Sequence, residues 1–273
     1  MDRVIVVLCE GQHDIAFVSR VLKAHHFVPY NKKVKDFHKP LGKLFENILK
    51  QKDIADKKLG FQSDYKLPSV ALDNGNSLIL FHNMGGDERQ DERAEVLDMY
   101  RMLSGNDDFS NLDFIFRFIT LFDADDLGIS HRLTHLTQEL GLNSVLSQGQ
   151  IFYDGQFEYG AYIFHSGEEV GTLEDVLLDM IEKSEEEIIN NSEDFIQSNL
   201  IDAARTREYV CTPASKKYKG SGKFKHKKSK LSIAGQLQFS GMNNSVFIAN
   251  TDFLTYEELT TNVHCVDIVG LFQ

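Results

Sequence analysis

The chain has 273 residues, of which 42% are hydrophobic and 26% are charged, and its net charge is −12. This length predicts one large domain or a core with an appended subdomain, and no apolar run approaches the ~18–20 residues of a membrane-spanning helix, which excludes a membrane partner. The three cysteines (Cys9, Cys211 and Cys265) show neither metal-ligand spacing nor even pairing, so we expect reduced thiols in a cytoplasmic protein.

Strands and helices alternate in the first part of the chain. An apolar strand over 3–9 leads into a helix over 13–26, whose apolar residues recur every three or four positions. A second helix is expected around 41–57. Two short strands then join at the turn Asp73-Asn74-Gly75-Asn76, which is a strong hairpin signal, and the return strand over 78–82 has the apolar character of a core strand.

The same alternation continues to residue 165. A helix over 88–103 precedes a third apolar strand over 113–122, and a helix over 128–140 follows it. A second hairpin turns at Asp154-Gly155, and its return arm provides a fourth core strand over 161–165. The pattern therefore predicts an α/β sheet with helices between its core strands.

The last third of the chain reads as helical. A long helix is expected from Thr172, and the acidic run over 182–194 is interpreted as the solvated join of two helices. Residues 215–227 are rich in lysine and glycine and predict a mobile loop, and a short helix is expected over 228–239.

Positive charge is concentrated in residues 216–230, which contain eight lysines and no acid. Removing these eight charges from the net charge of −12 leaves −20 for the rest of the chain. An acidic body with one basic strip is typical of proteins in which carboxylates bind metal ions and lysines bind a polyanion. The lysines expected to contact nucleic-acid phosphates are Lys216, Lys217, Lys219, Lys223, Lys225 and Lys227.

Carboxylates follow two of the predicted core strands. Glu10 ends the first strand, and Asp14 lies in the first turn of the helix that follows. Asp123 and Asp125 follow the third strand, and extended backbone would direct both side chains to one face. Carboxyl ends of parallel strands meet at one edge, where such acids could bind Mg²⁺. The alternatives are a stabilising acid in a helix first turn for Asp14 and Asx hydrogen bonds in a turn for the aspartates.

The two motifs together, an apolar strand followed by Glu-Gly-x-x-Asp and an apolar strand followed by Asp-x-Asp, resemble the Toprim domain of topoisomerases, primases and OLD-family nucleases. The resemblance implies an α/β, Toprim-like Rossmannoid core over 1–180, with a mainly parallel four-stranded sheet flanked by helices. Residues 28–77 would be an insertion, and 181–273 would be a helical C-terminal extension with a basic loop over 215–230.

The resemblance also implies a role for individual residues. The expected ligands of one or two Mg²⁺ or Mn²⁺ ions are Glu10, Asp14, Asp123, Asp125, Glu174 and Asp175. Glu10 would in addition serve as a general acid or base, and either Lys228 or Lys230 would stabilise charge on the scissile phosphate. The implied activity is metal-dependent endonucleolytic cleavage of phosphodiester bonds.

Stand-alone Toprim proteins resemble toxic nuclease effectors of bacterial anti-phage systems, several of which act with an ATPase. This chain has no G-x-x-x-x-G-K-[ST] motif, so an ATPase would be a separate partner, and a homodimer is also possible. Two other classes stay open: a receiver-like or nucleotide-binding module that holds Mg²⁺ for signalling, and a catalytically degenerate interaction protein. The sequence does not choose between DNA and RNA as the substrate.

Overall fold

The computed structural model describes residues 1–51, 65–86, 89–104, 112–167, 169–201 and 225–273, and the backbone of 208–211 and 216–219. Seven strands in these ranges form one mixed sheet with the order β2-β3-β4-β1-β5-β7-β6. Their bounds are β1 (Arg3–Cys9), β2 (Val28–Pro29), β3 (Val70–Asp73), β4 (Ser77–Asn83), β5 (Ile115–Asp123), β6 (Ile151–Asp154) and β7 (Phe157–Phe164).

The α/β class is confirmed, whereas the prediction of a four-stranded, mainly parallel sheet is wrong. The four central strands, β4, β1, β5 and β7, do pair in parallel. The two hairpins and residues 28–29 then add antiparallel strands at both edges. The segment predicted as an insertion over 28–77 thus contributes β2 and β3 to the main sheet.

Strand register fixes where the parallel strands end. Cys9 is paired with Asn83 of β4 and Leu121 of β5, and Asp123 is paired with Phe164 of β7. The residues that follow these strands therefore leave the sheet at one common edge. The near-continuous apolar runs of β1 and β4 are explained by helices that cover both faces of the sheet.

The described residues contain nine α-helices. They are α1 (Gln12–Ala24), α2 (Leu41–Lys50), α3 (Gln90–Ser104), α4 (Ile129–Leu140), α5 (Leu173–Ser198), α6 (His226–Gln238), α7 (Asn244–Asn250), α8 (Tyr256–Thr261) and α9 (Val263–Gly270). Within these ranges no helix combines the length and the hydropathy that crossing a bilayer demands. Most of the predicted extension of α2 to residue 57 lies outside the described residues.

Two helices differ in detail from the predicted pattern. Helix α1 ends at Ala24 rather than 26, and His26 adopts a left-handed conformation with φ of 70°. Helix α5 is interrupted at Glu185, whose φ of −132° and ψ of 40° are not helical. This kink lies inside the acidic run that was predicted to join two helices.

Each face of the sheet has its own apolar core. Alternate residues of β1 point to opposite faces: Val4 and Val6 pack with α2, α3 and α4, whereas Ile5 and Val7 pack with α1 and the C-terminal helices. Arg20 of α1 adds polar contacts, donating to the main-chain oxygens of Ile248 (2.8 Å) and Leu254 (2.7 Å). The C-terminal helices therefore complete one side of the same core.

The prediction of a mobile loop over 215–227 is wrong for residues 216–219, which form a strand, and for residues 226–227, which begin α6. Strand β9 (Lys216–Lys219) pairs antiparallel with β8 (Glu208–Cys211) in a separate two-stranded sheet. Tyr209 is in register with Tyr218, so the lysine-rich stretch begins as one arm of a β-ribbon. Residues 202–207, 212–215 and 220–224 lie outside the described residues.

Candidate functional site

A cleft of about 670 Å³ opens at the edge where the parallel strands end. Its lining is strongly charged, with acids from the strand ends and from the start of α5, and bases from α4 and the start of α6. The acidic side chains are Glu10, Asp123, Asp125, Asp126 and Glu174, and the basic ones are Arg132, Lys225, His226, Lys227 and Lys228. Seven of the fourteen site residues singled out from the sequence therefore meet in one place.

Glu10 and Asp14 come from the junction of β1 and α1. The side chain of Asp14 is buried, with 7% of its surface exposed, and its Oδ2 accepts a hydrogen bond from the backbone N–H of Gly11 (2.7 Å). This bond satisfies one of the free N–H groups at the start of α1. The alternative for Asp14, a stabilising acid in the first turn of a helix, is thus seen in the structure, although the carboxylate is also close to the acids of the cleft.

Asp123 ends β5 at the N-terminus of α5. Its Oδ1 accepts a hydrogen bond from the backbone N–H of Leu173, the first residue of α5 (2.8 Å). A helix N-terminus stabilises a nearby anion through its free N–H groups and the helix dipole. This contact holds the Asp123 carboxylate beside the first turn of α5, which also carries Glu174.

Glu174 connects three elements of the cleft. It is 4% exposed, and its Oε1 lies 3.3 Å from His13 Nδ1 on α1 and 3.5 Å from Lys228 Nζ on α6. Burial alone would raise the pKa of the Glu174 carboxyl, but the contacts with His13 and Lys228 lower it below its ordinary value. Glu174 is therefore held as a carboxylate between two bases.

The pKa values of two neighbouring acids, Asp14 and Asp123, are raised instead of lowered. Burial, together with the charges of Glu10 and Glu174, raises the pKa of Asp14 to about 8. Burial and the charges of Asp14 and Glu10 also raise the pKa of Asp123 well above its ordinary value. These shifts reflect the cost of placing like charges together in a site with little water. A cation placed among these carboxylates would offset that cost.

The Asp14→Asn variant is expected to be more stable than the wild type in metal-free buffer, and increasingly so as the pH rises. The pKa of Asp14 rises from 3.8 to about 8 on folding, so the unfolded chain loses this proton first and stability falls with pH across that window. Asparagine does not titrate and can still accept from Gly11. The gain should rise by at most about 1.4 kcal/mol per pH unit.

The measurement is urea unfolding in EDTA, followed by circular dichroism at about pH 5 and about pH 8. Asp98→Asn serves as the control because Asp98 is exposed on α3 and is paired with Arg101 of the same helix. An Asp14→Asn protein that loses stability between these two pH values as fast as the wild type would contradict the prediction.

Asp125 differs from the sequence prediction. The prediction that Asp123 and Asp125 share one face of an extended strand is wrong, because β5 ends at Asp123 and Asp125 has a left-handed φ of 49°. Its backbone instead exchanges hydrogen bonds with Gly171 (2.8 and 3.1 Å). Its side chain accepts from Arg132 Nη2 (2.5 Å), and both residues line the cleft.

Arg132 and His13 were not singled out from the sequence. Arg132 lies one turn inside α4, where a buried arginine could have been inferred only from the tertiary contact with Asp125. His13 is 161 residues from its partner Glu174. Neither contact leaves a local sequence signal.

The remaining predicted residues lie at the rim of the cleft or away from it. Asp175 accepts from the backbone N–H of Thr172 (2.9 Å) at the start of α5 and is paired with Lys227. Lys230 points to Glu193 in the second half of α5 (3.4 Å), whereas Lys228 points into the cleft. For Lys216, Lys217 and Lys219 only the backbone is described, and Lys223 lies outside the described residues.

The chemistry of the acids fits a hard divalent cation. Glu10, Asp14, Asp123 and Glu174 offer only carboxylate oxygens, which Mg²⁺ and Mn²⁺ prefer, and Glu10, Asp123 and Glu174 line the same cleft. In the described ranges, no group of three or more His, Cys, Asp or Glu side chains is already arranged around a single ion position. Binding would therefore require the carboxylates to move closer together.

Comparisons with known proteins give a family for the chain. The family model described as "Protein of unknown function (DUF3226)" matches residues 4–234. Among solved structures, the crystal structure of a hypothetical protein from Pyrococcus horikoshii OT3 is similar, with 14% sequence identity, coverage of 98% of this chain and 94% of that chain, and a TM-score of 0.49. Among curated proteins, no significant match was found.

Proposed function

The chain belongs to the DUF3226 family, and we propose that it is a divalent-metal-dependent nuclease that cleaves phosphodiester bonds of DNA or RNA. The cleft at the carboxyl edge of the sheet would be its active site. Mg²⁺ or Mn²⁺, and by the Toprim resemblance two ions, would be its cofactor.

One observation carries the proposal. The ammonium group of Lys228 enters, from α6, a cleft whose acids come from β1, β5 and α5. Carboxylates are the ligands of divalent cations, and lysine is a common ligand of phosphate. A cleft that combines both, at the open edge of parallel strands, suits a reaction at a phosphate group.

Each residue has a role in this proposal. Glu10, Asp123 and Glu174 would hold the ions, with Asp14 behind them, and the N–H of Leu173 keeps Asp123 in position. When bound, the ions supply nucleophile activation near neutral pH and stabilisation of the leaving oxygen. Glu10 would accept a proton from the attacking water.

The bases of the cleft would bind the nucleic acid. Lys228 would donate to an oxygen of the scissile phosphate and stabilise the charge that develops there. Lys225 and Lys227, at the rim, would contact neighbouring phosphates without reading sequence. Arg132, which is paired with Asp125 and also lines the cleft, would serve the same purpose.

The biological setting of the proposal comes from the Toprim resemblance alone. In that setting the protein would be a toxic effector of anti-phage defence that works with a partner, and a separate ATPase is the partner class that the resemblance implies. A homodimer is equally an implication of the resemblance.

The test is incubation of the purified protein with supercoiled plasmid, linear duplex DNA and total tRNA, each with Mg²⁺, Mn²⁺ or EDTA. We expect cleavage of at least one substrate with metal and none with EDTA. Mn²⁺ binding without cleavage of any substrate would contradict the nuclease and favour the receiver-like or degenerate alternative. Cleavage in EDTA would contradict the metal-dependent mechanism.

A further inference from the structure

The start of α6 is attached to α5 by a row of ion pairs. His226 and Lys230 contact Glu193 (3.1 and 3.4 Å), and Lys227 contacts Asp175. Positive charge in the first turn of a helix is unfavourable because it opposes the helix dipole. The acids of α5 compensate for this, so the position of the first turn of α6 depends on them.

Lys228 belongs to the same turn, but its partner lies inside the cleft. Its Nζ is 3.5 Å from Glu174 Oε1, and Asp123 and Glu10 add to the attraction. Lys228 therefore supplies positive charge to the same carboxylates that are expected to bind a divalent cation.

We propose that the Lys228 ammonium is the resident counter-ion of the carboxylates Glu10, Asp123 and Glu174, and that a divalent cation binds them by displacing it. This inference rests on the proposed function, because it assumes that the same carboxylates bind the metal. Metal binding and phosphate binding would therefore be coupled. The metal releases the Lys228 ammonium from Glu174, and the ammonium can then bind a phosphate of the substrate.

The geometry allows this displacement without unfolding α6. The side chain of Lys228 is 53% exposed and has a flexible four-carbon stem, so the ammonium can turn toward the open cleft. The Lys227–Asp175 and Lys230–Glu193 pairs remain in place and keep the helix against α5. The movement required is that of one side chain.

The test is calorimetric titration with Mn²⁺ of the wild type and the Lys228→Met, Lys228→Arg and Lys230→Met variants. Lys228→Met removes the competing charge and should bind Mn²⁺ about tenfold more tightly or better. Lys228→Arg keeps the charge and should bind like the wild type. Lys230→Met is the matched control, because it also removes a Lys–Glu pair of nearly equal length (3.4 against 3.5 Å).

The possible failures can be told apart. If Lys228→Met binds Mn²⁺ as the wild type does or more weakly, and Asp123→Asn loses binding, the displacement is overturned. The metal site itself is then supported. An absence of Mn²⁺ binding in both the wild type and Lys228→Met overturns the metal site and the displacement together.

A second measurement uses only the wild type and does not depend on how the variants fold. Acetylation of lysines with a limiting reagent, read by peptide mass spectrometry, should become severalfold faster at Lys228 when Mg²⁺ is added, because the ammonium leaves its carboxylate partners. The rate at Lys230 should stay the same. A rate at Lys228 that does not rise in a protein that binds Mg²⁺ overturns the displacement.

Discussion

Replacing Asp123 with asparagine is expected to lower metal-dependent cleavage by at least about 10³-fold without unfolding the protein. Asparagine has the same shape and can still accept the hydrogen bond from the N–H of Leu173, so the junction of β5 and α5 should persist. Its neutral amide is a much weaker ligand for a hard divalent cation than a carboxylate. The loss should therefore lie in the chemical step and in metal affinity.

The same substitution is expected to leave thermal stability in EDTA unchanged or to raise it. Burial and the charges of Asp14 and Glu10 raise the pKa of Asp123, so removing the carboxyl relieves an unfavourable group. This opposite effect on stability separates a functional acid from a structural one, because loss of a structural acid would lower both activity and stability.

Single-turnover cleavage at saturating Mn²⁺ and melting curves in EDTA measure the two effects. Asp98→Asn is the control: it makes the same chemical change on the exposed face of α3, and cleavage by this variant should match the wild type. Cleavage by Asp123→Asn at the wild-type rate would show that Asp123 is not part of the active site.

The parts of the fold that follow from local patterns could be predicted from the sequence. The apolar runs of β1, β4 and β5 identify strands that are buried on both faces, and the turns at 73–76 and 154–155 identify the two hairpins. The local patterns do not show which other strands of the sheet each hairpin pairs with. β3 and β6 lie at opposite sides of the parallel centre, which only the folded sheet reveals.

The candidate site also contains residues that could be predicted from the sequence and residues that could not. Glu10 and Asp123 could be predicted because each directly follows a core strand, and parallel strands end at one edge. Lys228 and Lys230 could not be distinguished, because the choice depends on which face of α6 packs against α5. The left-handed backbone at Asp125 could not be predicted from the sequence either, because aspartate adopts both extended and left-handed conformations.

The contacts of the C-terminal helices could not be predicted from the sequence for a different reason. Some of them use the polar side chains of Arg20 and Arg117, whose partners among the C-terminal residues are more than a hundred residues away. Arg117 is the clearest case: this charged residue sits in the central strand β5, where the sequence pattern predicts an apolar core strand, and its side chain is only 3% exposed. Its partners come from β7 and from the last residues of the chain.

Replacing Arg117 with methionine is expected to destabilise the protein by about 3–5 kcal/mol. Arg117 Nε donates to Glu158 (2.5 Å), and Nη1 donates to the main-chain oxygens of Leu271 (2.6 Å) and Gln273 (2.8 Å). Methionine fills a similar volume but leaves the buried Glu158 carboxylate with the Arg3 contact alone (3.4 Å) among the described residues, and it removes the donor to two main-chain oxygens. Urea unfolding followed by circular dichroism measures the loss.

Two further variants assign the loss to its causes. Arg117→Met/Glu158→Gln removes the unpaired charge but still leaves the main-chain oxygens without their donor, so it should recover part of the stability and no more. Lys50→Ala, which breaks the exposed i,i+4 pair with Glu46, should cost less than about 0.5 kcal/mol. If the double variant were as unstable as Arg117→Met, the bonds to Leu271 and Gln273, rather than the charge of Glu158, would account for the stability that Arg117 provides.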